Sequence, residues 1–265
     1  MDLTDKKILV TGAGGVGVGG GVCQALVNFG ATIILNEIDQ EKAEVAAKNY
    51  PNAIPIAADI GNPKQVSDMF DYISNEIGVL DGLVNNAGVG LSTEAHEASE
   101  EEFDRLYDID IKGVWRVSKA FVSQLLDAHR IGNIVNISSV NAHSTISPYA
   151  IYASAKSAVE GLTRGMAVEL GPHNIRVNAI GPGLVHAEQN YELIKSWSDD
   201  PHKWVRDIVM GEQVLLHPIE PVDCGNAVVF LLSDLSRAIT GQVLYVDKGT
   251  TSLLFNRFCT APKLD

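Results

Sequence analysis

Short β-branched apolar runs alternate with longer amphipathic stretches along this 265-residue chain, and the alternation leaves few folds open. The runs Lys7–Val10, Thr32–Leu35, Ala53–Ala57, Leu80–Val84, Asn133–Ile137, Ile175–Ala179 and Gln242–Val246 read as strands. Between them, helices are expected at Val22–Phe29, with Leu26 and Phe29 inward, and at about Gln40–Lys48. Others are expected from Pro63 to about Ile77, over about Ser99–Ala128 and Pro148–Leu170, and near Val222–Leu232. Pro63 stands where a first helical turn tolerates proline. The strands are nearly continuous in apolar residues, as in a parallel sheet covered on both faces. Strands alternating with helices of this length imply right-handed βαβ units. The expected fold is therefore α/β, a doubly wound parallel sheet with helices on both faces, formed by residues 1–265 as one domain. Ligands of such sheets sit beyond the carboxyl ends of the strands.

A hydrophobic content of 46% is enough for a core of that size. The net charge of −13 argues against nucleic acid as a partner, because phosphate binding needs clustered Lys and Arg. The N-terminal Met1–Lys7 carries no apolar leader core, and no stretch of eighteen apolar residues follows, so no membrane association is expected. Cys23, Cys224 and Cys259 are odd in number, far apart and without metal-ligand spacing. They read as reduced packing thiols of a cytoplasmic protein, and no metal site is expected.

After the first strand comes Thr11-Gly12-Ala13-Gly14-Gly15-Val16-Gly17-Val18-Gly19-Gly20-Gly21. Glycines let the backbone approach a pyrophosphate, and the helix start behind them offers free N–H groups. Gly12, Gly14 and Gly17 satisfy the dinucleotide spacing G-x-G-x-x-G. The second strand runs on into Asn36-Glu37, twenty residues after Gly17. A carboxylate there accepts from the adenosine ribose hydroxyls and repels a 2′-phosphate, and the loop has no Arg or Lys to pair with one. NAD is therefore favoured over NADP. The plainer alternative is a solvated acid at a strand end.

Tyr152 and Lys156 stand at i and i+4, on one helical face, with Cβ atoms about 5–6 Å apart. A free phenol, with a pKa of about 10, is a poor base at neutral pH. A neighbouring ammonium and an oxidised nicotinamide both favour the phenolate. Ser139 follows the fifth strand, thirteen positions earlier, where its hydroxyl can meet the same substrate oxygen.

With these residues in place the chain resembles the short-chain dehydrogenase/reductase family over almost its whole length. The matching motifs are the Thr11-Gly12 loop, Asp59-Ile60, Asn85-Asn86-Ala87-Gly88, Ser139, Tyr152 with Lys156, Asn178, Pro182-Gly183 and Ile239-Thr240-Gly241-Gln242. The resemblance implies a Rossmann-like fold and hydride exchange between a substrate carbon and nicotinamide, with Tyr152 moving the proton. It implies a cofactor site formed by Gly12, Gly17, Val18, Gly19, Glu37, Asp59, Ile60, Asn86, Ala87, Gly88, Pro182, Gly183 and Val185. Of these, Asp59 and Ile60 would hold the adenine, while Tyr152 and Lys156 complete the nicotinamide end. Ser139, Tyr152, Lys156 and Asp110 form the catalytic set.

Three positions depart from the family pattern. The glycine loop is one residue longer than usual, and Val16 is the extra residue. Asp110 replaces an asparagine that helps hold a water in the proton relay; its charge is expected to pair with Lys156 and raise the working pH. Ala187 stands where a threonine often contacts the carboxamide, a role open to Gln189 or to a backbone group.

By resemblance, residues from about 184 to 217 form a substrate lid containing His186, Glu188, Gln189, Asn190, Tyr191, Trp197 and Trp204. Asn141, His143, His186 and Trp197 are the expected substrate contacts. Polar groups interleaved with tryptophan suit a sugar, polyol or small hydroxy compound; surface polars around two buried tryptophans are the alternative. The apolar segment Leu253–Phe258, Arg257 included, is expected to pack on a neighbouring subunit of a homotetramer. Two other functions stand beside the dehydrogenase: an NADPH-dependent carbonyl reductase, and a non-catalytic NAD(H)-binding sensor on the same fold.

Overall fold

The structure, a computed structural model, describes residues 1–187, 190, 191, 194–256 and 258; Glu188, Gln189, Arg257 and Cys259 lie outside them. The strands are β1 (Lys7–Val10), β2 (Thr32–Glu37), β3 (Ile54–Ala57), β4 (Gly82–Asn85), β5 (Gly132–Ile137), β6 (Ile175–Pro182) and β7 (Val243–Val246). They form one sheet in the order β3-β2-β1-β4-β5-β6-β7, parallel throughout. The helices are α1 (Val18–Asn28), α2 (Gln40–Ala47), α3 (Pro63–Tyr72), α4 (Glu100–Tyr107), α5 (Val114–Asp127), α6 (Ala150–Leu170), α7 (Pro201–Glu212) and α8 (Pro221–Leu232).

Side chains on a strand alternate between faces, and here both faces are apolar. Ile33 and Leu35 pack with Val22 and Val228 on one side, while Ile34 packs with Phe70 and Phe121 on the other. Each such side chain, fully buried, contributes about 1.5–3 kcal/mol. The strand order reverses between β1 and β4, so a crevice opens at their carboxyl ends, between the glycine loop and Asn85–Gly88.

Three elements differ from the sequence expectation. Helix α1 begins at Val18 rather than Val22, taking in Gly19–Gly21. Glycine is a poor helix former, but a Cβ on Gly21 would lie 2.1 Å from the Pro221 carbonyl carbon, and one on Gly225 2.2 Å from the Gly21 oxygen. These glycines let α1 and α8 touch backbone to backbone. The stretch from Ser99 to Ala128 is not one regular helix: Asp108–Gly113 is a π-helical turn between α4 and α5. Arg116 supports it, donating to the carbonyls of Asp108 (3.3 Å) and Gly61 (2.9 Å) and to Asp108 Oδ1 (2.9 Å). That hydrogen bond holds the Asp108 carboxyl below its ordinary pKa. The lid contains a helix, α7, which Asp200 caps by accepting from Lys203 N–H.

The last turn of the sheet is fixed by Asp247, whose carboxylate accepts from Gly249 N–H (2.9 Å), Thr251 N–H (2.8 Å) and the Thr251 hydroxyl (2.7 Å). Burial alone would raise its pKa, but these bonds outweigh burial and hold it below the ordinary carboxylate value. Such a group stabilises the fold above its unfolded pKa of about 3.9, and the contribution is lost as pH falls through the lower folded value. Asp247→Ala is expected to cost about 1–2 kcal/mol at pH 7, and the difference from the parent to shrink as pH falls below the ordinary carboxylate value, read by urea melts.

Among the described residues no helix is long and apolar enough to cross a membrane. None of their His, Cys, Asp and Glu side chains form a group of three suited to a metal ion. Asn256 and Phe258 lie against Gly211 at the end of α7, where Asn256 Nδ2 donates to Glu212 Oε1. Leu254, Phe255 and Phe258 remain exposed.

Candidate active site

The glycine loop is strapped down from below. Thr11, fully buried, accepts at Oγ1 from the N–H groups of Asn86 and Ala87, both at 3.1 Å. Asn86 Nδ2 donates to the carbonyls of Thr11 (2.9 Å) and Gly12 (2.8 Å). Gly12 has φ +61°, and a Cβ there would lie 2.6 Å from Ala87 Cα, so only glycine fits. Asn86, expected to line the cofactor, thus spends its amide on shaping the loop. The extra residue Val16 is 62% exposed at the loop's outer lip.

Side chains of Asp39, Asn62, Ser99 and Asp200 cap α2, α3, α4 and α7. No side chain caps α1 at Gly17, and its first turn holds no acid. Its leading N–H groups and positive dipole end face the crevice, which suits a pyrophosphate. Glu37 lies beside this loop at the end of β2. Its Oε2 accepts from Gly14 N–H (3.0 Å) and its Oε1 from Ile38 N–H (2.9 Å). A carboxylate offers about four acceptor positions, so capacity remains for two ribose hydroxyls. These residues fit a dinucleotide. At the expected adenine end, Asp59 Oδ1 accepts from Gly61 N–H (2.8 Å), while Ile60 is buried with its side chain against Gly113.

Deeper in the crevice Lys156 rises from α6, its side chain only 7% exposed. Its Nζ lies 2.9 Å from Asp110 Oδ2, a buried ion pair. It also donates to the Ile137 carbonyl (3.4 Å) and stands 5.6 Å from the centre of the Tyr152 ring. Burial alone would lower the Lys156 pKa, but the Tyr152 and Asp110 side chains outweigh it and hold the value above normal. The ammonium therefore keeps its proton throughout the neutral range. Asp110, inaccessible to solvent, comes from the π-helical turn and also accepts from Val89 N–H at 2.8 Å. The expected charge pair is thus formed, and it ties α6 to the loop after β4.

Ser139 follows β5 and caps the short turn Val140–Ala142. Its Oγ accepts from Asn141 N–H (3.2 Å) and Asn141 Nδ2 (3.3 Å). Asn85 is 2% exposed and donates to Ser118 Oγ (2.9 Å) and Asn136 Oδ1 (2.8 Å), a buried clamp beneath the site. Asn178 binds the approach to β7 through Ile239 O and Gln242 N–H. Pro182 is buried, and a Cβ on Gly183 would lie 3.2 Å from Asp247 Cα, so this corner follows the Asp247 turn.

The expected substrate residues divide. Trp197 is 41% exposed rather than buried, and its ring meets Tyr149 edge-on at 6.4 Å; Tyr149 in turn meets Tyr152 at 5.9 Å. An aromatic row therefore runs from Trp197 to Tyr152. His143 is exposed and tilts against Tyr245 at 5.6 Å. His186 pairs instead with Glu220 (3.1 Å) and packs on Tyr191. Val185 and Ala187 are buried, Val185 bridging to Ile219.

Sequence reasoning passed over Glu160, one helical turn beyond Lys156. It is 8% exposed and accepts from Ser138 Oγ (2.9 Å) and Tyr245 OH (3.0 Å). Burial and this bond push the Tyr245 phenol up to about 12. The i+4 step from Lys156 was the available signal, since it places Glu160 on the face that carries the site.

Comparison with known proteins points the same way. A family model described as enoyl-(acyl carrier protein) reductase matches residues 12–251. L-xylulose reductase from Homo sapiens is 34% identical over 250 residues, 93% of this chain and 97% of the relative. A short-chain type dehydrogenase/reductase from Mycobacterium marinum superposes with a TM-score of 0.85 at 30% identity, covering 95% and 98% of the two chains. A gluconate 5-dehydrogenase from Burkholderia cenocepacia J2315, solved with NADP and tartrate, gives 0.86 at 28% identity, covering 96% and 98%.

Proposed function

The chain belongs to the short-chain dehydrogenase/reductase family, and from that premise we propose that it is an NAD-dependent oxidoreductase interconverting a secondary alcohol and its ketone. The substrate class is a sugar, polyol or small hydroxy compound. One observation carries the reading: a fully buried, charged Lys156 beneath Tyr152, one strand end away from Ser139.

Nicotinamide, when bound, supplies or takes up the hydride. The protein handles the proton. In oxidation, the Tyr152 oxygen removes the hydroxyl proton as the carbonyl forms; in reduction it returns that proton to the oxygen. Ser139 hydrogen-bonds the same oxygen, where charge develops. Lys156 fixes a positive charge under the tyrosine ring and would bond the nicotinamide ribose. Asp110 holds Lys156 in position. Asp59, Ile60, Asn86, Ala87, Gly88, Pro182, Gly183 and Val185 shape the rest of the cofactor site. His143 and Trp197 lie at the substrate mouth.

NAD rather than NADP is supported by Glu37, since a 2′-phosphate brought beside this carboxylate meets repulsion without a cation in the loop to offset it. Glu37→Ala is expected to lower kcat/KM with NAD about tenfold and to narrow the NAD to NADP ratio by at least as much, about 1.4 kcal/mol. A wild-type preference for NADP would overturn the cofactor assignment. The deciding assay follows reduced nicotinamide while either cofactor is offered with sugars, polyols, secondary alcohols and hydroxysteroids. Turnover confined to NADP would favour the carbonyl reductase; tight NAD binding without turnover would favour the sensor. Cytoplasmic location and a homotetramer belong to the same proposal. Apolar side chains left exposed on α5 (Trp115), α6 (Val168) and β7 (Leu244) support assembly, which sedimentation velocity tests.

A further inference from the structure

Both polar atoms of the Asn141 side chain are engaged by the protein itself. Its Nδ2 donates to Ser139 Oγ at 3.3 Å, and its Oδ1 accepts from the Thr145 hydroxyl at 2.9 Å. Thr145 has one other acceptor within reach, the Ile146 carbonyl, at 3.4 Å. The Asn141 oxygen is the nearer of the two, and with that bond formed the amide nitrogen faces Ser139. The Asn141 backbone N–H, whose direction admits no alternative, donates to the same Ser139 oxygen at 3.2 Å.

A serine hydroxyl has one hydrogen to donate and two lone pairs to receive. At Ser139 both lone pairs are filled by one residue, and among the described residues no group accepts the hydrogen. We propose that Asn141 is a positioning residue that makes Ser139 a donor only, aiming its one proton at the substrate oxygen. This rests on the dehydrogenase reading and sharpens it. A substrate oxygen accepts from Ser139 in both directions of reaction, as a carbonyl awaiting reduction or as an alcohol giving its own proton to Tyr152. A Ser139 free to rotate would spend part of its time accepting, a state that does nothing for developing negative charge. Filling its lone pairs removes that state before substrate arrives, which is preorganisation in the sense that matters for an oxyanion-type site. Asn141 then does not read the substrate at all; discrimination falls to other groups at the mouth, Trp197 and Tyr149 among them.

The test is an isosteric inversion. Asn141→Asp replaces the donor by an acceptor, so the Ser139 proton turns toward the introduced carboxylate. We expect kcat/KM to fall about 10- to 100-fold, below the 10²–10³ typical of losing such a donor outright, with NAD affinity by fluorescence titration unchanged. Asn141→Ala, which keeps the backbone N–H, is expected to fall less. In a Ser139→Ala background Asn141→Asp should cost less than twofold more, since its route of action is gone. A loss that persists there, or full activity in the single variant, overturns the proposal. A crystal structure of Asn141→Asp reports without turnover: the side-chain contact to Ser139 Oγ should shorten from 3.3 Å to about 2.7 Å, the length of a charge-assisted O–H···O⁻ bond. An unshortened contact overturns the proposal even if no substrate is ever found. Absence of turnover in the wild type would instead count against the dehydrogenase reading.

Discussion

Tyr152→Phe is expected to lower kcat for the preferred alcohol by about 10³–10⁴-fold, within the range that positioned acid–base groups supply. The phenol oxygen is the one atom removed. The ring, half-buried beside Tyr149 and 5.6 Å from the Lys156 ammonium, remains to fill the site. NAD affinity is therefore expected to change by no more than a few fold, and thermal stability hardly at all. The combination is diagnostic. A fall in turnover with the cofactor still bound places the oxygen in the chemical step. A matching loss of cofactor affinity would mean that the tyrosine mainly holds nicotinamide. Retention of more than a tenth of the wild-type rate would remove Tyr152 from the proton path and leave the mechanism without its base. Pre-steady-state mixing makes the comparison sharper, because product release masks chemistry in many enzymes of ordinary turnover.

Lys156→Met is expected to have the largest effect on stability of any substitution in the site, about 3–5 kcal/mol, because it leaves the buried Asp110 carboxylate without a counter-charge. Asp110 has no exposed surface, and apart from Lys156 its one bonded partner among the described residues is Val89 N–H. Adding Asp110→Asn to Lys156→Met removes the stranded charge and should restore most of the stability, though not the activity. Denaturant melts of both single variants and the double variant measure the coupling directly. If the double variant is no more stable than Lys156→Met, the pair is not what holds this corner together. Asp110→Asn alone gives a second reading. Freed of its partner, the Lys156 charge acts more fully on Tyr152, so the rising, acid-side limb of the pH–rate profile for oxidation should move to lower pH. An unmoved profile would leave Asp110 as an anchor without influence on the working pH.

The architecture was legible because its signal is local: every strand of the sheet was marked by its own apolar run. Where it was misread, the deciding partner was distant in sequence. Gly19–Gly21 looked like loop because glycine disfavours helix, whereas Gly21 is held against Pro221 and Gly225 on α8. The candidate catalytic residues Ser139, Tyr152 and Lys156 could be picked out because their spacing is itself chemical. The bonds that Asn141 makes could not be read in the same way. Standing two residues past Ser139 it seemed aimed at substrate, whereas its amide bonds that serine and Thr145. The Asp200-Pro201 start of α7 was a readable cap and first-turn pair, overlooked among the polar residues of the lid.

The π-helical turn at Asp108–Gly113 also sets a phase. A residue in a regular α-helix advances about 100° around the axis, whereas a π turn accommodates one residue more than a regular turn would. That single extra residue sets the angular offset between the side chains of α4 and those of α5. With it, Leu106 and Phe121 are both turned inward while Asp110, between them, faces Lys156. Deleting one residue here would give a tidier helix out of step with its own core, rotated by about a quarter turn on one side of the cut. The segment therefore tolerates exchange of side chains far better than any change in their number. Length variation among chains of this fold should accordingly be sought in its loops, and not in this helix.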